Sequence, residues 1–261
     1  MRQNIPLTAH IMMRQPMVRS TFYKIPLIFG MAIFLFACTG NKVDKPIATI
    51  DNPGKYLLKL YPPPKEFSSY SMAKIDDREF LVMGDVVIPS AQSAYFLSSW
   101  EVFNGETLLD IGTGSGVQAI FAADKASSVV ATDINPLAIE AAALNAKRNG
   151  VSDRIEVRQG DLFAPVKPGE KFDVILSNIN YPHDKWTEGL WPLHERFFAE
   201  VKNHLKQNGR IYYQSGEFKN VARIHNMAKK NGLIIISMRM DAILDLDRRP
   251  IVYLLKRKID L

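Results

Sequence analysis

Thr107-Leu108-Leu109-Asp110-Ile111-Gly112-Thr113-Gly114-Ser115-Gly116 runs directly into Val117-Gln118-Ala119-Ile120-Phe121-Ala122-Ala123. An apolar run enters a turn with glycine at every second position and leaves it as a helix-forming segment: strand, tight loop, helix. Such a loop needs positive φ or close backbone approach, which glycine allows at little steric cost. The helix behind it turns unpaired N–H groups toward whatever sits above the loop. A second apolar run, Ser128-Val129-Val130-Ala131-Thr132, ends in Asp133, 21 residues after Gly112. An acid at that distance can accept hydrogen bonds from both hydroxyls of a ribose, so the two segments read together as a nucleoside cradle.

A dinucleotide-binding loop reads Gly-x-Gly-x-x-Gly, whereas here the third glycine comes one residue early and Val117 stands where that fingerprint has glycine. The strings 110–116 and Ala131-Thr132-Asp133-Ile134-Asn135-Pro136 instead closely resemble the first two motifs of class I S-adenosylmethionine-dependent methyltransferases. Arg154-Ile155-Glu156-Val157-Arg158-Gln159-Gly160-Asp161-Leu162 resembles that family's third strand and the acid that contacts the adenine amino group. Phe172-Asp173-Val174-Ile175-Leu176-Ser177-Asn178-Ile179-Asn180-Tyr181-Pro182 resembles its fourth strand and catalytic loop. The resemblance spans residues 77–258 and implies an α/β fold: a doubly wound, seven-stranded, mostly parallel Rossmann-like sheet. It also implies S-adenosylmethionine as cofactor, held by Asp110, Gly112, Thr113, Gly114, Gly116, Asp133, Ile134, Asp161, Leu162 and Asn178. Plainer readings stand beside these. The glycine loop alone is a strand-to-helix turn, Asp133 alone is a cap for the helix starting near Pro136, and Asp161 alone is a solvated loop acid. A NAD-dependent dehydrogenase is a further alternative, to be separated by binding of NADH rather than S-adenosylhomocysteine.

Asn178-Ile179-Asn180-Tyr181 stands where amino-methylating members of the family carry Asn-Pro-Pro-Tyr. The resemblance implies that the Asn178 side chain and the next backbone carbonyl accept hydrogen bonds from a planar NH₂ group while Tyr181 stacks on the acceptor, making Asn178 and Tyr181 the expected catalytic pair. Ile179 and Asn180 keep the backbone acceptors but remove the rigidity of two prolines. The plainer role for Asn178 is a loop cap. Asp85-Val86-Val87-Ile88-Pro89 resembles the Val-Leu-Ile-Pro stretch ahead of the cofactor fold in HemK-type methyltransferases, which modify the glutamine amide of release factors. Ser90-Ala91-Gln92-Ser93-Ala94 departs from their Arg-Pro-Glu-Thr-Glu run, and residues 39–78 offer little room for their N-terminal helical bundle, so release factor is not the expected acceptor. His183, Asp184, Lys185, Trp186 and Trp191 read either as pocket lining or as a lid packed on the core. The expected reaction is methyl transfer to a planar nitrogen of a protein side chain, a nucleobase or a small amine. Two alternatives remain open: a small-molecule oxygen or carbon acceptor, and a non-catalytic exported protein that binds a ligand or partner on the same fold.

With 261 residues, 47% of them hydrophobic, the chain has material for one α/β domain plus an extension. Its net charge is +6, but Arg2, Arg14, Arg19 and Lys24 lie in the acid-free first 38 residues, leaving +2 for the remainder. A nearly balanced body without a basic stripe favours a protein or small-molecule acceptor over nucleic acid. The one basic cluster, Lys256-Arg257-Lys258, reads as a solvated tail. A single Cys excludes an intrachain disulfide, and five His show no metal-ligand spacing, so no metal is expected. The expected assembly is a monomer.

Residues 25–37 form an uncharged apolar block preceded by Arg19 and Lys24, with the layout of a secretory signal, and Leu35-Phe36-Ala37-Cys38 resembles the lipobox of bacterial lipoproteins. The block is shorter than the roughly 20 residues of a membrane-spanning helix. The alternatives are an uncleaved membrane anchor and an overextended gene start, and localisation follows from the choice: a membrane-associated lipoprotein if Cys38 is processed, otherwise cytoplasmic. The expected organisation is therefore a signal-like segment 1–38, a linker and extension 39–78, and a methyltransferase domain 79–261. Within it we expect a short helix at 56–60, strands at 79–83, 85–89, 107–111, 128–132, 154–158, 172–177, 209–214, 233–238 and 250–256, and helices at 91–103, 116–125, 136–149, 192–206 and 217–231. The resemblance places the last strand antiparallel beside the fifth strand of the sheet.

Overall fold

The computed structural model describes residues 48–50, 56–61, 63, 65–67, 69–182, 185–216, 218–240 and 250–260. The signal-like segment with Cys38, and His183 and Asp184 of the expected pocket, lie outside the described residues.

A four-stranded antiparallel sheet comes first, with β1 (Ala48–Ile50), β2 (Leu58–Tyr61), β3 (Tyr70–Ile75) and β4 (Arg78–Met83) adjacent in chain order. The helix expected at 56–60 is therefore strand β2. A run of five residues is too short to sustain a helix, and period-two alternation buries Leu58 while Lys59 pairs across to Lys74. The hairpin β3–β4 also runs across position 79, where the extension was expected to end. Residues 85–89, expected as a strand, form turn and extended chain without a ladder.

The free edge of β4 is covered in an unusual way. On α3 (Pro136–Arg148), the buried Asn145 accepts the Leu81 N–H and donates to the Leu81 carbonyl, both at 2.8 Å. One turn later, Asn149 does the same for Glu79, accepting its N–H at 3.3 Å and donating to its carbonyl at 2.9 Å. Two carboxamides spaced by four residues thus pair with alternate residues of the strand, as a neighbouring strand would. Asn145 also donates to the Ser115 carbonyl at 2.9 Å, which ties the small sheet to the glycine loop.

The main sheet contains β5 (Thr107–Ile111), β6 (Ser128–Asp133), β7 (Ile155–Gln159), β8 (Phe172–Ser177), β9 (Leu205–Gly216), β10 (Leu233–Met240) and β11 (Pro250–Arg257). Its order is β10-β11-β9-β8-β5-β6-β7, with β11 antiparallel between β9 and β10 and the ladders from β7 to β9 parallel. This is the doubly wound sheet the sequence predicts. Successive residues of each central strand enter opposite cores: Leu108, Val129, Val174 and Val252 face one, while Leu109, Val130, Ile175 and Ile251 face the other. Burial on both sides explains the continuous apolar runs. The first core holds side chains of α1 (Ala91–Leu97) and α2 (Val117–Ala122), and the second those of α4 (Trp191–Glu200) and α5 (Val221–Lys230). Helix α1 stops well short of the expected residue 103, because the Ser98 and Ser99 hydroxyls both donate to the Tyr95 carbonyl, at 2.7 and 2.8 Å.

Candidate functional site

After β5 the chain adds β6 and β7 on one side and then β8 on the other, so the carboxyl ends of β5 and β8 form a switch point, where open α/β sheets bind ligands. A cleft of about 1150 Å³ lies there. Its lining includes Gly112, Thr113, Gly114, Asp133, Ile134, Asp161, Leu162, Asn178 and Tyr181, which brings both sets of expected site residues into one space.

Gly112 and Gly114 have φ of 71° and 55°, in the left-handed region that favours glycine. The position a Cβ would take on Gly114 is open space, whereas at Gly112 it would lie 2.6 Å from Ile179 Cγ2, so the glycine loop touches the loop 178–182 after β8, called the acceptor loop for the role the sequence leads one to expect. Two expected cofactor residues do not line the cleft. Gly116 stands where α2 meets α3, and a Cβ there would come within 3.2 Å of Ala142. Asp110 is 1% exposed and accepts the Thr113 hydroxyl at 2.7 Å, bracing the loop from behind. Burial pushes its pKa up to about 7, with the nearby Asp133 charge adding to the rise and the Thr113 bond opposing it.

Asp133 is not the cap of α3. Asn135 takes that role, accepting the Leu137 N–H at 2.9 Å with Pro136 in the first turn. One Asp133 oxygen accepts the Gly114 N–H at 2.9 Å and the other the Asn135 N–H at 3.0 Å, which fixes the carboxylate on the cleft wall with lone pairs to spare. Asp161 is held by Arg196 at 2.6 Å, and the following Leu162 has φ 47°, an uncommon conformation for a branched apolar residue that here lines the cleft.

The acceptor loop is anchored from several directions. Asn178 Oδ1 accepts an N–H of Gln214 at 2.8 Å. The Asn180 carbonyl lies 3.1 Å from His194 Nε2, and Tyr213 Oη lies 2.7 Å from His194 Nδ1. A carbonyl only accepts, so Nε2 carries the proton and the Tyr213 hydroxyl donates to Nδ1. Burial is the largest cause holding the His194 pKa down at about 4, so the ring is neutral near pH 7. Asn220 donates to the Pro182 carbonyl at 3.0 Å. Tyr181 lies against Gly216, where a Cβ would come within 2.0 Å of its ring. In place of two prolines, buried side chains of α4 and β9 and the side chain of Asn220 hold this loop from outside.

The expected pocket role of the tryptophans is also corrected, since neither lines the cleft. Trp191 is 7% exposed with the Arg223 guanidinium 4.1 Å above its ring, and Trp186 is 82% exposed beside Lys185. Thr187, Leu190 and Leu193 supply the lining from this segment instead. Sequence reasoning missed Gln118, which lines the cleft and accepts the Trp100 indole N–H at 2.7 Å. It also missed His194, Gln214, Gly216 and Asn220. His194 lies among the buried positions of α4 with Trp191, Phe197 and Phe198, and a polar residue within an apolar stripe was the available signal. Among the described residues no helix is long and apolar enough to cross a membrane, and no group of three or more His, Cys, Asp or Glu could hold a metal ion.

The family model described as ribosomal protein L11 methyltransferase (PrmA) matches residues 95–239, leaving β1–β4 outside the match. A ribosomal protein L11 methyltransferase from Bacillus velezensis is 48% identical over 138 residues, covering 52% of this chain and 40% of that protein. A release factor glutamine methyltransferase from Aliivibrio fischeri is 29% identical over 157 residues, 53% of this chain and 55% of that one. In fold, the chain is similar to the crystal structure of ribosomal protein L11 methylase from Lactobacillus delbrueckii subsp. bulgaricus, with TM-score 0.54 and 24% identity over 68% of this chain and 84% of the other. By sequence alignment, the matched part of the chain spans no more than 40% of the length of the curated L11 methyltransferases it is similar to.

Proposed function

The chain belongs to the PrmA family of ribosomal protein L11 methyltransferases, and on that premise we propose that it transfers a methyl group from S-adenosylmethionine to a nitrogen of a protein acceptor. The observation that carries this reading is the single cleft in which Ile179 of the acceptor loop packs directly on Gly112 of the nucleoside cradle.

The residues present fit the cofactor. Gly114 leaves its Cβ position open, Asp133 keeps lone pairs for ribose hydroxyls, and Ile134, Asp161 and Leu162 offer an apolar wall with one acid for the base. S-adenosylmethionine supplies a methyl group on a positively charged sulfur, which needs no further activation. The protein's task is therefore positional. Asn178 Oδ1 accepts an N–H of the reacting nitrogen, and Tyr181 offers a face on which a planar group stacks. His194 is buried and bonded at both ring nitrogens, so it holds the loop and is not a base for the acceptor.

Protein rather than nucleic acid is favoured by the names of the relatives and by the charge of only +2 outside the first 38 residues. A planar amide is favoured by Asn178 and Tyr181. The reading also requires the domain to meet S-adenosylmethionine, a cytosolic metabolite. On this reading the domain works on the cytosolic side, with any membrane association left to the signal-like segment. Incubating the protein with methyl-labelled S-adenosylmethionine and fractionated cell extract tests the assignment. Label is expected in a protein band and should survive nuclease; label confined to nucleic acid or small molecules would refute it.

A further inference from the structure

Gln214 is fully buried on β9, next to Tyr213 and two residues from Tyr212. The hydrogen bond its side chain makes among the described residues is the one from Nε2–H to Asn178 Oδ1 at 2.8 Å, and its own Oε1 has no partner among them. A buried acceptor without a partner is destabilising, and a carboxamide serving only the core would have both ends satisfied. An apolar residue of similar volume would fill the strand position without that defect. The feature distinguishing glutamine here is the N–H it directs at Asn178, on an irregular loop, whose side chain makes this hydrogen bond among the described residues.

We propose that Gln214 is a positioning residue for the acceptor site: by donating to Asn178 Oδ1 it fixes that side chain and leaves the second lone pair of the same oxygen to accept an N–H of the reacting nitrogen. The inference rests on the nitrogen-acceptor reading above and narrows it to nitrogens that carry at least one hydrogen. A carboxamide oxygen has two lone pairs, so one can be committed to Gln214 while the other serves the acceptor. Two other acceptors of the loop are held by different side chains, the Asn180 carbonyl by His194 and the Pro182 carbonyl by Asn220. Asn178 Oδ1 is the side-chain acceptor of this loop that Gln214 orients.

Side-chain carboxamide signals in ¹H–¹⁵N spectra of the full chain, saturated with S-adenosylhomocysteine, test the bond. The Gln214 pair, assigned by its loss in Gln214→Met, should exchange slowly with solvent. It should lose that protection in Asn178→Ala while the backbone signals stay in place. For the protein band labelled in extract, Gln214→Met should lower kcat about 30-fold, with KM for that acceptor and Kd for S-adenosylhomocysteine within about two-fold of wild type. Should Gln214→Met not fold, the comparison of wild type with Asn178→Ala decides alone, with Gln214 assigned by sequential connectivity. Protection that persists in Asn178→Ala, or wild-type kcat in Gln214→Met, overturns the proposal. An equal fall in kcat and cofactor affinity also overturns it, because general loosening gives that pattern. A wild-type protein that labels nothing defeats the nitrogen-acceptor reading itself, and the role given to Gln214 with it.

Discussion

The glycine loop and the acceptor loop meet at Gly112 and Ile179, yet they are held in opposite ways. The glycine loop is shaped by its own backbone: left-handed glycines, a carboxylate from the next strand on the Gly114 N–H, and Asp110 braced against Thr113 three residues away. The acceptor loop has no such internal support. Its shape comes from His194, Gln214, Gly216 and Asn220, which lie 14 to 38 residues beyond the loop residues they touch. A local loop keeps its form while distant packing changes; a loop gripped from outside can be altered one contact at a time. Substitutions should therefore separate cofactor binding from acceptor chemistry.

The largest separation is expected from Asn178→Ala. On the proposed reading its hydrogen bond to the acceptor would strengthen as the methyl group moves, so kcat should fall by about 10²–10³. Calorimetry with S-adenosylhomocysteine should show a Kd that changes far less than kcat. Near wild-type turnover would remove the planar-nitrogen assignment and favour an oxygen or carbon acceptor.

The complementary break is Asp133→Ala, which removes an acceptor for the ribose and frees the Gly114 N–H. Cofactor affinity should weaken by about 1.5–3 kcal/mol, the range for hydrogen bonds to a charged group, while the fold stays intact. An unchanged Kd in the folded variant would take Asp133 out of the ribose site.

A smaller effect on the acceptor side is expected from Gly216→Ala. The added methyl group would come within 2.0 Å of the Tyr181 ring, whose far end can swing aside without disturbing β9. Losing a stacking face should raise KM for the acceptor roughly ten-fold, in line with about 0.5–1.5 kcal/mol for an aromatic contact. Cofactor affinity should not move, and a parallel loss of it would show that the two loops are not separable.

The same contrast explains what could be read from sequence. Glycine spacing, the acid after the second strand and the alternation of apolar runs are local patterns, so the parallel sheet and the strand–loop–helix cradle were legible, while the place of the last strand followed from the family resemblance. Asp110 and Gly116 belong to that motif, but their distance from the cleft depends on burial and on Ala142, which no spacing reports. The strand at 58–61 was read as a helix because the alternation that decides it makes sense only beside β3. Gln214 was illegible as a site residue for the same reason, and His194, marked in sequence only as a polar residue in an apolar stripe, takes its meaning from the carbonyl and hydroxyl groups the fold brings near it. The Asn145 and Asn149 pair, which covers β4, likewise looks in sequence like two ordinary polar residues on a helix.

The smallest effect, and the most specific to the acceptor loop, concerns His194. Its folded pKa is held at about 4, mainly by burial, with the positive charge of Arg223 contributing, while in the unfolded chain it should titrate near 6.5. As pH falls below 6.5 the unfolded chain takes up a proton that the folded protein refuses, so this residue's contribution to stability declines through the window from 6.5 down to about 4. Above 6.5 both states are neutral and the contribution is constant. His194→Gln keeps a donor for the Asn180 carbonyl but cannot titrate, so it should lack that acid-dependent loss. The wild-type stability advantage seen at pH 7.5 should shrink by about 1 kcal/mol at pH 5.5, measured by urea unfolding of both proteins. Parallel pH profiles for the two would mean that His194 titrates normally in the folded state. The neutral Tyr213–His194–Asn180 chain would then not be what holds the acceptor loop.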